Sequence, residues 1–223
     1  MKGYKAFKQR KLKAFKQRKL LDTKIKFASE DLAQIGNSED CVRIGNSGEF
    51  VKIGNSGSYT QIYSWGDIAQ IGNSGACVKV DLLGDYVQIG NSAFDTRIDS
   101  SGEFVKIGNS GDYSRICSLG DIAQIGDSGN HTQIGSSGNL AKIGSSGHYA
   151  MITSEGQHSV VCCAGAHSIV KAKKGSWVTL SEWKYDETQK REIPICVKTE
   201  FVDGEKIKED TFYKLKNGEF VEL

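Results

Sequence analysis

Gly48-Glu49-Phe50-Val51-Lys52-Ile53-Gly54-Asn55-Ser56 and Gly84-Asp85-Tyr86-Val87-Gln88-Ile89-Gly90-Asn91-Ser92 are two copies of one nine-residue unit. An Ile or Val returns at its sixth place at 35, 44, 53, 62, 71, 80, 89, 98, 107, 116, 125, 134, 143, 152, 161 and 170, with no break in register. A short fixed period of this kind marks stacked coils. Numbered from its Gly, the unit has a small or β-branched residue at position four and Gln, Lys or Arg at position five. This alternation reads as a strand, with positions four and six inward and three and five outward. Gly-Asn-Ser-Gly then reads as the turn, because Gly and Asn tolerate positive φ.

One such strand cannot bury its own face, but a stack can, and each inward Ile contributes roughly 1.5–3 kcal/mol when fully buried. Alternate units fall into two classes. The first, with Ile at 35, 53, 71, 89, 107, 125 and 143, keeps Ile-Gly-Asn/Asp/Ser-Ser throughout. The second departs from it, as in Ile62-Tyr63-Ser64-Trp65 and Val80-Asp81-Leu82-Leu83. Two inequivalent units per turn predict a coil of about 18 residues. The expected fold is all-β: a single-stranded β-solenoid (β-helix) with a small C-terminal antiparallel β cap and a short basic N-terminal arm. A 54-residue echo, Glu49-Phe50-Val51-Lys52-Ile53 against Glu103-Phe104-Val105-Lys106-Ile107, suggests copying of three coils at a time.

Three regions emerge: an arm at 1–26, the repeat at 27–175 and a cap at 176–223. The 223 residues carry a net charge of +2, unevenly spread: the arm has eleven Lys/Arg against Asp22, whereas the repeat is −5 and the cap −3. Lys5-Ala6-Phe7-Lys8-Gln9-Arg10-Lys11-Leu12 repeats letter for letter as residues 13–20. Its residues favour helix, and Lys8, Arg10, Lys11, Lys16, Arg18 and Lys19 form a candidate anion-binding arm. In the repeat, outward position five turns apolar at Met151, Val160 and Ile169, which predicts that the cap covers that row. Ser176–Leu180, Ile195–Val202 and Thr211–Leu215 read as cap strands. Val202-Asp203-Gly204-Glu205 and Lys216-Asn217-Gly218-Glu219 carry hairpin signals.

The run Lys174-Gly175-Ser176-Trp177-Val178-Thr179-Leu180-Ser181-Glu182, with Cys196–Lys208 and Thr211–Leu215, follows the Ile-Gly-Asn/Ser-Ser-Gly units. Over about residues 30–223 this resembles a family of uncharacterised bacterial and prophage repeat proteins that carry a domain of unknown function. Met1-Lys2-Gly3-Tyr4-Lys5-Ala6-Phe7 resembles that family's opening. A folded N-terminal domain usually follows there, and the duplicated basic octet stands in its place here. The resemblance implies a fold and no activity.

Chemistry is sparsely encoded. Calcium-binding nonapeptide rolls need Asp where this unit has Phe, Tyr, Leu or Ile. His158 and His167 flank Cys162 and Cys163, but the register sends the histidines outward and Cys163 inward, so no zinc site is expected. No Ser, Cys or His stands in a catalytic constellation, and the acids at position two read as a solvated row. No enzyme activity, metal or cofactor is expected. Flat ranks of Thr, which ice binding needs, are missing. Six cysteines without disulfide spacing, and no apolar stretch of signal-peptide or membrane-span length, point to a reducing cytoplasm.

Outward position three is often large: Leu32, Phe50, Tyr59, Ile68, Tyr86, Phe104, Tyr113, Ile122, Leu140, Tyr149. First-class units place Phe50, Ile68, Tyr86, Phe104 and Ile122 one per coil, a candidate interaction stripe, and Trp65, Leu83 and Leu119 at outward position nine could extend it. The expected function is non-enzymatic: a rigid rod presenting a repeated surface for protein binding or self-association. The alternative is nucleic-acid association through the arm, or DNA mimicry by an acidic rod face.

Overall fold

The computed structural model describes residues 24–223. Its strands are β1 (Lys24–Ala28), β2 (Gln34–Asn37), β3 (Val42–Asn46), β4 (Lys52–Asn55), β5 (Gln61–Ser64), β6 (Gln70–Asn73), β7 (Lys79–Leu82), β8 (Gln88–Asn91), β9 (Arg97–Ser100), β10 (Lys106–Asn109) and β11 (Arg115–Ser118). They continue as β12 (Gln124–Asp127), β13 (Gln133–Ser136), β14 (Lys142–Ser145), β15 (Met151–Ser154), β16 (Val160–Cys163), β17 (Ile169–Ala172), β18 (Trp177–Asp186), β19 (Arg191–Phe201), β20 (Tyr213–Lys216) and β21 (Glu219–Glu222). Odd strands from β1 to β17 pair in parallel into one sheet, and even strands from β2 to β18 into the other. The register advances by two units per coil, as in Lys52↔Gln70, Ile53↔Ile71 and Gly54↔Gly72. The protein is an all-β solenoid whose coils repeat in steps of 18. Of the arm, Lys24–Lys26 belong to the first strand, and Lys24 bonds Glu39 at 2.5 Å. Lys8, Arg10, Lys11, Lys16, Arg18 and Lys19 lie outside the described residues.

Positions four and six are buried as expected: Val51, Ile62 and Val105 are fully enclosed, and the Ile and Val columns of the two sheets form one core. The strand runs on through positions seven and eight, so Gly-Asn is not the turn. Position-eight Asn points inward, and Asn37, Asn55, Asn73, Asn91 and Asn109 form a buried ladder. Each Nδ2 donates to the next coil's Oδ1, with Asn55 to Asn73 at 2.7 Å and Asn73 to Asn91 at 2.8 Å. The same Nδ2 also donates to a carbonyl two residues on, as from Asn73 to Gly75 at 3.1 Å. The ladder ends at Asp127, which accepts from Asn109 at 2.7 Å and from Ser145 Oγ at 2.8 Å. Burial pushes the Asp127 carboxyl above its ordinary value against these hydrogen bonds.

Position three makes the corner. All sixteen position-three residues from Leu32 to His167 have φ between 53° and 60°, and of the repeat's glycines only Gly175, at its very end, has positive φ. The position-one glycines serve close approach instead: a Cβ on Gly66 would stand 1.8 Å from the carbonyl oxygen of Gly48, one coil back. The position-two acids are not merely solvated. Asp31, Asp67, Asp85, Asp112 and Asp121 each accept a backbone N–H from the next coil, as from Glu103 to Asp85 at 2.9 Å.

At the C-terminus the solenoid runs half a coil into the expected cap, because β18 still pairs in parallel with β16. The chain then reverses through the β18–β19 hairpin, which is longer than its sequence signal on the turn side, where β18 runs on to Asp186 and β19 starts at Arg191. β20 pairs antiparallel with β17, and the Asn217-Gly218 turn joins it to β21 as expected. Asp203-Gly204 closes a local turn, with Asp203 accepting from Glu205 and Ile207, and does not join two strands. Glu182 accepts from the N–H groups of Asn217 and Gly218 at 2.8 Å each, which ties the two hairpins together and lowers its own pKa. The cap lengthens both sheets end-on and leaves most of the apolar row uncovered: Met151 and Val160 are exposed, and only Ile169, beside the cap, is half-buried.

Candidate interaction surface

The corner geometry places every position-three side chain outward. Its amide turns along the rod and donates to the position-two carbonyl of the next coil, from Phe50 to Asp67 at 3.1 Å and from Ile68 to Asp85 at 2.8 Å. This backbone link fixes the spacing from one side chain to the next. Phe50, Ile68, Tyr86, Phe104 and Ile122 follow one another along a single corner. Phe50, Ile68 and Tyr86 are 47%, 40% and 54% exposed, and Phe104 and Ile122 are half-buried. Tyr86 and Phe104 stack with centroids 4.8 Å apart and planes 2° apart. The row is therefore both self-stacked and open at its ring edges.

The second corner carries a column that the stripe did not include. Tyr113, His131, Tyr149 and His167 stack at 4.7, 4.8 and 4.9 Å. Position three gave the signal here too, but His131 and His167 hid it, because histidine does not read as apolar. His167 ends the column against Glu192 of the hairpin at 2.7 Å.

Position nine extends neither row evenly. Trp65 and Leu83 are buried, whereas Leu119 is exposed. Trp65 and Leu83 are neighbours one coil apart and shelter each other, and Trp65 also stacks near Tyr63 at 5.9 Å. Leu119 stands between Ser101 and Ser137, which are too small to cover it.

Between the corners, the even sheet from β2 to β14 shows Lys or Gln at position five and Gly at position seven, and a trough of about 1110 Å³ runs over Gly36, Gly54, Gly72, Gly90, Gly108 and Gly126. The odd sheet is more charged, but its acids are neutralised locally: Asp81 bonds Lys79 at 3.0 Å and Asp99 bonds Arg97 at 2.8 Å. His158 and His167 are exposed, whereas Cys163 is fully buried and its thiol is pushed up to about 12 by desolvation. Among the described residues no group of three or more His, Cys, Asp or Glu side chains is placed to hold a metal ion, and no helix is long and apolar enough to cross a membrane.

No family model matches this chain, and no curated protein or solved structure matches it either. The likeness to prophage repeat proteins stands as an expectation from the sequence.

Proposed function

We propose that this protein is a non-enzymatic rod that binds a protein partner along the Phe50–Ile122 corner. One observation carries the reading. Large side chains occupy left-handed backbone at every coil, and Ile68 and Ile122 are β-branched there, at φ 57° and 58°. An L-residue in this region costs roughly 1–2 kcal/mol, and Gly or Asn would relieve much of it. Local strain that persists in a regular array points to use. The side chains held this way stand open at a fixed spacing, as a docking ridge requires. A cytoplasmic home fits the cysteines, all of them free thiols. A photo-crosslinking residue at position 86, with a control at 88 on the adjacent flat face, tests the reading in cells. Adducts to one defined protein from 86 and not from 88 are expected. Equal labelling from both positions, or none from 86, would refute it.

A further inference from the structure

The even sheet ends in an unpaired strand. β19 bonds to β18 on one side and has no neighbour on the other among the described residues. Val202 N–H donates to Ser176 and Val202 C=O accepts from Gly175, so Val202 faces β18. Antiparallel ladders alternate, so Glu200 and Lys198 also face β18. Val197, Thr199 and Phe201 then present their N–H and C=O groups at the open edge. Such an edge is a template for another strand.

From this we infer that the protein forms an isologous dimer by antiparallel pairing of β19 with β19 of a second copy, centred on Thr199. The sequence Val197-Lys198-Thr199-Glu200-Phe201 is self-complementary about its middle. In that register Lys198 lies opposite Glu200 of the second copy, twice by symmetry, and Val197 lies opposite Phe201, also twice. Moving the centre to Lys198 would set two lysines face to face, and moving it to Cys196 would set Glu192 against Glu200. A lysine normally blunts an edge; here it selects one register. The outer face agrees. Val160, Trp177 and Phe201 are consecutive in register across the sheet and exposed, and Val197 is 63% exposed. Pairing about Thr199 sets the partner's Val197 beside Phe201 and continues that apolar band across the seam. Pro194, the only proline in the chain, lies beyond the paired segment and takes no part in it. β21 ends the other sheet of the solenoid. This contact uses the end of the rod and is independent of the corner row.

The test is sedimentation of the full chain as wild type, Lys198→Glu and Glu200→Lys, each alone and the two variants mixed. Each variant alone sets like charges opposite each other twice, and dimer dissociation constants on the order of tenfold higher or more are expected. Because Lys198 also bonds Glu219 at 2.6 Å and Glu200 bonds Lys206 at 2.7 Å, a lone variant could lose its dimer by local damage. Mixing answers that point: Lys198→Glu with Glu200→Lys restores both cross-strand pairs, so a heterodimer of near wild-type affinity is expected. A monomeric wild type, dimers unaffected in both variants, or mixtures that stay monomeric would each overturn the inference.

Discussion

Replacing Asn73 by Ala is the sharpest perturbation of the interior. Asn73 accepts from Asn55 Nδ2 at 2.7 Å and from Gly75 N–H at 3.3 Å, and donates to Asn91 at 2.8 Å and to Gly75 C=O at 3.1 Å. Four bonds at about 1 kcal/mol net each give about 4 kcal/mol. Weakness of the longest of these bonds lowers that figure, and the orphaned Gly75 carbonyl, buried just beyond the strand, raises it again. We therefore expect a loss of about 3–4 kcal/mol. For a chain of this size that is roughly 10 °C in Tm. The site is local, so the loss should be local as well: each coil touches only its neighbours. Chemical denaturation gives the total, and amide hydrogen exchange should show protection falling most in the coils of Asn55, Asn73 and Asn91. The control is Ser118→Ala at the same inward place in the other sheet. The buried Ser118 hydroxyl has no partner among the described residues, so its loss should not destabilise and should raise stability by up to about 1 kcal/mol. An Asn73→Ala variant within about 1 kcal/mol of wild type, or equal effects at the two sites, would refute the ladder as a source of stability.

Glycine should divide by position under one substitution. Gly66→Val puts a branched side chain against the Gly48 carbonyl and should cost more than about 3 kcal/mol. Gly72→Val meets open space on a strand face and should be neutral or stabilising by up to about 1 kcal/mol in thermal melts. Asp127→Asn should stabilise near neutral pH. The raised folded pKa means that wild type has its full stability below the ordinary Asp value and loses part of it as pH rises through the folded value. The gap between variant and wild type should therefore close in melts near pH ~3.5, and a pH-independent gap would count against the buried carboxylate. Ile122→Asn should stabilise the fold by on the order of 1 kcal/mol through relief of left-handed strain, and so raise Tm; a loss of similar size would show that stacking along the corner outweighs the strain.

The coil length, the inward Ile and Val columns and the outward large residues were legible in the sequence because they follow strand alternation and one period. The turn was not. Gly54-Asn55 has the composition of a turn, yet its Gly is needed in neither a bend nor a tight contact, and its Asn side chain, which bonds Gly57 in its own coil, finds its donor Asn37 and its second acceptor Asn73 only when the coils stack. Its role lies one coil away on either side, at Asn37 and Asn73. The reverse holds at Phe50 and Ile68, which have the composition of a strand and adopt left-handed backbone because cross-coil hydrogen bonds impose it. The apolar row was misread for a related reason. Met151 and Val160 pointed to a cover, but β18 and β20 found unpaired edges at the end of the rod and extended the sheets. Edge satisfaction outranked covering a few side chains. Of the candidate residues, the stripe could be placed by counting alone, whereas the edge at Val197–Phe201 needed the pairing of β18 with β19 before its unpaired groups could be seen.

Inside and outside are governed separately in this molecule. Ile columns, the Asn ladder and close contacts at position one fix each coil against the next. The outward residues are scarcely constrained, and at position seven of the odd sheet Gly45, Tyr63, Asp81, Asp99, Cys117, Gly135, Thr153 and Lys171 succeed one another along the same parallel ladder. Surface chemistry can therefore change from coil to coil without disturbing the fold. Growth by three coils, as the 54-residue echo suggests, would add three side chains to each corner and leave β19 untouched. The length of the docking ridge and the pairing at the tip can then vary independently, since one counts coils and the other depends only on how the last sheet ends.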